Sequence, residues 1–337
     1  MRIHPLIRIC TSLIFLAVLC GGCIHTYPKG EPEDPSLITL TLSLTLGINF
    51  SNSSDGATEK VQMPRGIYQF RVLVLQNGRT IADEENFIRY DGDDSKPILL
   101  PISTPLQERN YHILVWSHLV DSENRNPLHY DVADLYSISV IPYWESIYAT
   151  SAQLAFPICL RGEADFSPGS VTPSPTSHAY TLPVSCSSPA ALLRVEATDT
   201  ERFISVFPTV TVNPGAFSIE ISFTTPAPDA FNLLTGSPAH YSSGWHTDTP
   251  LLLPDPSAFK VIEIPLFPDS SGEELTADIT VYNSARSIIS RTRGISFTLK
   301  PNHTTVVRGP FLSNFFQSPL HVENEWEGEI VIEYDEE

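Results

Sequence analysis

Two groups of residues in this chain combine types and spacing suited to chemistry. Asp91-Gly92-Asp93-Asp94 gathers three carboxylates that could hold Ca²⁺. The cluster lacks the alternating ligands and distal Glu of an EF-hand loop, so a solvated turn is the expectation. His112 and His118 alternate with Leu114 and Trp116 on one strand face. Two imidazoles begin a metal site, but no third ligand is placed beside them, and strand-surface histidines are the plainer reading. The sequence contains no His-Glu-x-x-His, Cys-x-x-Cys, phosphate loop or nucleophile elbow. Its many Asp and Glu residues fall in no glycosidase motif. The reading is therefore of a protein without catalytic residues, cofactor or metal.

Composition narrows the partners. The 337 residues carry 20 Lys plus Arg against 39 Asp plus Glu, a net charge of −19. Nucleic acid is excluded as a partner, because phosphate binding needs a cationic face. Hydrophobic residues make up 42%, enough for a packed core. Proline is about 9% of the chain, with 29 residues, and disfavours long helices.

The amino end reads as a processing signal. Arg2 and Arg8 are basic, and Ile9 to Cys20 is an apolar run too short to span a bilayer. Leu19-Cys20-Gly21-Gly22-Cys23 follows and looks like a lipobox, with cleavage before Cys23 and lipid on its thiol. Cys20 stands where such a motif usually has Leu, and an ordinary signal peptide is the alternative. Residues 23–36 are polar and Pro-containing, the composition of a tether. The acidic residues near Cys23 resemble export signals of surface lipoproteins. These features predict a lipid-anchored, surface-exposed protein. Beyond Cys23 the processed chain retains Cys159 and Cys186. In an exported protein an even pair predicts a disulfide between them.

The remainder alternates with period 2. Leu40, Leu42, Leu44 and Leu46 interleave with Thr39, Thr41, Ser43 and Thr45 inside a first strand from Leu37 to Phe50. A second strand starts at Tyr68, and Asn77-Gly78 signals a hairpin. Further strands are predicted at 98–102, 111–116, 135–141, 192–197, 210–212, 217–223, 261–267, 277–282, 295–299, 304–307 and 329–334. No amphipathic helix longer than about two turns is predicted. Residues 164–177, rich in Pro, Ser and Thr, suggest a linker or long loop. The organisation is all-β, as two sandwiches over 37–163 and 186–337, with 164–185 as linker or insertion and 1–22 as signal peptide.

Several stretches together resemble a known family. They are Tyr111-His112-Ile113-Leu114-Val115-Trp116-Ser117, His129-Tyr130-Asp131-Val132-Ala133-Asp134-Leu135, Ala230-Phe231-Asn232-Leu233-Leu234-Thr235-Gly236, and Lys300-Pro301-Asn302-His303-Thr304-Thr305-Val306-Val307-Arg308-Gly309-Pro310-Phe311-Leu312. In this order, behind a lipobox, they resemble the FimB-type minor fimbrial subunit and related fimbrillin-like lipoproteins of type V pili. The resemblance implies two tandem transthyretin-like β-sandwich domains, attachment to the outer membrane through lipid, and a role in anchoring or assembling a fimbrium. It implies no catalytic residue, and partners that are fimbrial subunits joined by strand addition. Cys159 and Cys186 depart from the family pattern. Polymerising subunits of such pili lose their first strand after cleavage at an Arg. The first Arg after Cys23 is Arg65, and an anchor must keep the Arg65-Gly66 bond.

A surface glycan-binding lipoprotein is the second reading. It needs exposed aromatic platforms, for which Trp116, Trp144, Trp245 and Trp326 are the candidates.

Overall fold

Alternation of apolar and polar side chains makes nearly every regular element among the described residues a strand. A computed structural model describes residues 37–48, 63–93, 96–141, 158–171, 178–213, 215–253, 260–313 and 329–333. The first sheet has eight strands. They are β1 (Leu37–Gly47), β2 (Gly66–Gln76), β3 (Arg79–Tyr90), β4 (Ile98–Pro101), β5 (Leu106–Gln107), β6 (Tyr111–Val120), and, after two short strands described below, β9 (Cys159–Phe166) and β10 (Ala179–Ser187). Their order is β3-β2-β6-β9-β10-β1-β4, with β5 also on β1. Asn77 and Gly78 form the predicted hairpin, both at positive φ (51° and 75°), as a two-residue turn between twisted strands requires. Ile38, Leu40, Leu42 and Leu44 of β1 meet Phe70, Val72, Ile113, Val115, Leu182 and Val184 in one core.

A shared sheet follows. β7 (Tyr130–Asp131) and β8 (Ile138–Val140) join β13 (Ala227–Asn232) and β14 (Ser237–Ser242), in the order β14-β13-β8-β7. This sheet covers the outer face of the first one. Arg71 donates to the Val132 carbonyl, and Arg161 to that of Leu233. Between them lies an aromatic box, with Trp116 at 6.0 Å from Tyr130 and 5.9 Å from Phe231, and Phe231 at 5.5 Å from Phe267.

The second half builds two four-stranded sheets. β16 (Lys260–Leu266), β11 (Ala191–Ala197), β19 (Thr304–Gly309) and β20 (Glu329–Glu333) make one in that order. β15 (His246–Pro250), β12 (Phe217–Phe223), β17 (Glu273–Asn283) and β18 (Ile288–Leu299) make the other. Leu193, Val195, Ile219, Ile221, Ile279 and Phe297 pack in the core between them. On the other face of β11, buried Arg194 pairs with Glu263 at 2.7 Å and buried Glu196 with Arg308 at 2.8 Å, both on register partners, with Glu263 and Arg308 partly exposed. Such desolvated charges are tolerated only as pairs. The α-helix among the described residues is α1 (Thr200–Val206), seven residues long. No described helix is long and apolar enough to cross a membrane.

Two expectations are corrected here. Residues 210–212 are not a strand: Pro208 fixes the start of a 3-10 turn, Pro208–Thr211, which buries Val210. The segment 164–185 is not a free linker. Its second part forms β10, inside the first sheet, parallel to β1 through nine register pairs. Tyr180, Leu182, Val184 and Cys186 are its buried face, a period-2 pattern obscured by intervening Pro and Ser. Pro183 lies where β10 is laddered on its β1 side alone, which tolerates a residue without an N–H. The two halves are also more than beads on a string. Residues 38–337 cluster as one compact unit, and β8 pairs with β13 across the sequence midpoint.

Candidate functional site

The first strand is the element that the family resemblance implicates in subunit assembly. β1 runs parallel to β10 on one side and antiparallel to β4 on the other, four pairs from Thr41–Pro101 to Leu44–Ile98. Leu40, Leu42 and Leu44 are completely enclosed, a burial of about 6 kcal/mol in transfer terms. Removing β1 would leave an apolar groove with unpaired backbone on both banks. The far end of the strand is tied to the second half, because Asn302 Nδ2 donates to the Gly47 carbonyl at 2.7 Å. Asn302 belongs to the Lys300–His303 turn, where its φ of 63° reverses the chain into β19. Arg65 is exposed immediately before β2, its side chain against Gly92. Residues 49–62, before it in sequence, lie outside the described residues, as do residues 1–36 with Cys23.

The histidines separate. His112 is half-exposed, with Nδ1 at 2.8 Å from Asp165 Oδ1. His118, at the other end of β6, is buried, and so is His129. Both ring nitrogens of His118 and Nε2 of His129 lack a hydrogen-bond partner. Burial pushes each imidazole down to about 4, with the neighbouring His129 charge adding to the effect on His118. His118 is therefore not a surface residue, and its titrating neighbour is His129, which strand spacing alone could not reveal. No group of three or more metal-ligating side chains occurs among the described residues.

The expected disulfide is absent. Cys159 and Cys186 are both free and buried. Cys186 is the register partner of Gly162, three residues along β9 from Cys159. An odd offset puts the two thiols on opposite faces. Cys159 packs in the aromatic box under Trp116 and Cys186 in the core around β1. Burial pushes each thiol up to about 12.

The acidic cluster is a turn. Asp91 Oδ1 accepts the Asp93 N–H, and Asp93 pairs with Lys96 at 3.0 Å; Asp94 lies outside the described residues. The tryptophans form no platform among the described residues. Trp116 is core, Trp245 packs on Phe223 at 5.4 Å, and Trp144 and Trp326 lie outside them. A Ser-His-Asp contact that the sequence reading missed joins β13 and β14. His240 Nδ1 is 2.9 Å from Asp229 Oδ1, and Ser242 Oγ donates to Asp229 Oδ2 at 2.6 Å. Ser242 faces the same Nδ1, at 3.3 Å. A nucleophile relay needs the two ring nitrogens to serve different partners, so this is a surface hydrogen-bond cluster.

A family model spanning residues 38–337 matches this all-β body. The chain belongs to the family of unknown function DUF6562. A search of the curated proteins finds no match. Among solved structures, this DUF6562 member is similar to the fimbrial anchor protein Mfa2 from Porphyromonas gingivalis, at 9% identity and TM-score 0.34, over 76% of this chain and 82% of that one. It is also similar to a cell adhesion candidate from Bacteroides eggerthii DSM 20697, at 10% identity and TM-score 0.38, over 91% and 100%. A third, a cell adhesion candidate from Bacteroides ovatus ATCC 8483, gives 11% identity and TM-score 0.40, over 80% and 90%.

Proposed function

We propose that this protein is an outer-membrane lipoprotein that anchors or assembles a type V fimbrium through strand addition with other subunits. The observation that carries the reading is β1. It is the first described strand, and it is paired on both sides with Leu40, Leu42 and Leu44 sealed in the core. A subunit held to the membrane through residues preceding β1 must keep that strand, because losing it would part the lipid from the body. Strand addition would then use another sheet edge of the protein, with main-chain hydrogen bonds giving affinity. The sequence resemblance supports the same role.

The test is a pair of measurements on protein from cells. Cys23→Ala should move the protein out of the outer-membrane fraction, and intact mass should show a lipid adduct on a chain uncut at Arg65-Gly66. Unchanged fractionation would refute lipid anchoring. A dominant species beginning at Gly66 would refute the anchor role and make the chain a polymerising or tip subunit.

A further inference from the structure

At one end of the first sheet, β2, β6 and β9 border an open cleft of about 530 Å³ that the anchoring role does not use. That volume lies in the range of small-ligand sites. Strand register sets its walls. Leu75 of β2 stands opposite His112 of β6, and His112 opposite Asp165 of β9, so three side chains form one row across three strands. The next pair, Tyr111 and Phe166, borders the cleft but turns its stacked rings to the opposite face, into the core around β1. The Asn77-Gly78 turn closes one side, and Asn110 and Ser167 complete the border. Most of these residues sit on or beside strands, so their positions are fixed by the sheet.

The hydrogen-bonding pattern points to one ligand class. Asp165 Oδ1 engages His112 Nδ1 at 2.8 Å, which leaves Nε2 for a ligand hydroxyl. Ser167 Oγ donates to Asn110 Oδ1 at 2.8 Å, which orients that amide and keeps its NH₂ as a donor. Asn77 brings a second amide. The cleft thus mixes donors and acceptors, and hydroxyl groups, which both donate and accept, match that mixture. None of its lining residues is Lys or Arg. An anionic ligand would meet the Asp165 carboxylate with no fixed cation to offset it.

We infer that this cleft binds a neutral sugar residue of a glycan, with Asn77, Asn110, His112 and Asp165 as its hydroxyl partners. This adhesive function is independent of fimbrial anchoring and stands or falls separately from it. The experiment is saturation-transfer NMR on the full mature chain with glucose, galactose, mannose, N-acetylglucosamine and glucuronic acid. At least one neutral sugar should receive saturation and glucuronic acid should not. Asp165→Ala and Asn110→Ala, both at exposed positions, should each weaken that binding tenfold or more without moving Tm. Absence of transfer to all four neutral sugars overturns the proposal. So does equal transfer to glucuronic acid, or transfer that both variants leave intact.

Discussion

Acidification tests the buried His118–His129 pair directly. Both imidazoles are enclosed, and burial holds each in its neutral form down to about pH 4, against about 6.5 for an exposed histidine. As pH falls, the unfolded chain therefore binds protons before the folded protein does. The contribution of the pair is fully present above about pH 6.5 and is lost progressively towards about pH 4. At pH 5 the linkage amounts to about 2 kcal/mol for one histidine and about 4 kcal/mol for both. A loss of that size is a large fraction of the total stability of a folded protein. The assay is urea denaturation at several pH values between about 7.5 and 5, on the native protein and on a His118→Leu/His129→Leu variant. The variant retains every other acid-sensitive group, so the difference between the two curves isolates the pair. It should show a drop smaller by about 4 kcal/mol over this range. The same drop in both proteins would refute the reasoning.

Other outcomes follow from packing. Leu42→Ala removes a completely enclosed side chain of β1 and should cost about 2–5 kcal/mol in urea denaturation, whereas Thr45→Ala on the exposed face should cost under about 0.5 kcal/mol. Cys159 and Cys186 should both react with a thiol reagent in denaturant without reductant, and resist it in the native protein; a cross-linked peptide in a non-reducing digest would contradict their separation on opposite faces. Arg194→Met removes the cation from the largely enclosed Glu263 carboxylate and should destabilise the protein, most of the loss being regained in Arg194→Met/Glu263→Leu; equal losses in the single and double variants would contradict this.

Much of this architecture can be read from residue order. The alternation from Ile38 to Leu46 shows a strand with one buried face, and Asn77-Gly78 shows a hairpin, because both signals are local. Partners are another matter. A two-residue period says which face is buried but not which strand lies alongside, so the parallel pairing of β1 with β10, about 140 residues away, is invisible in it. The same limit hides the β8–β13 ladder and the approach of His129 to His118. Assigning Cys159 and Cys186 to a disulfide rests on their number and compartment, whereas their separation rests on register. The cleft at Leu75, His112 and Asp165 likewise exists only once three strands are aligned.

The two-sided pairing of β1 has a mechanical consequence. A pull on the amino end of β1 along the strand axis does not peel one hydrogen bond after another. It loads the nine β10 pairs and the four β4 pairs together, as overlapping plates in a lap joint carry load in shear. Because β10 runs parallel to β1, the neighbouring strand takes the tension in the same chain direction, and the Asn302 clamp on Gly47 resists slip at the far end. Load on that end would then be borne by a whole sheet, and rupture would require sliding Leu40, Leu42 and Leu44 out of the core at once.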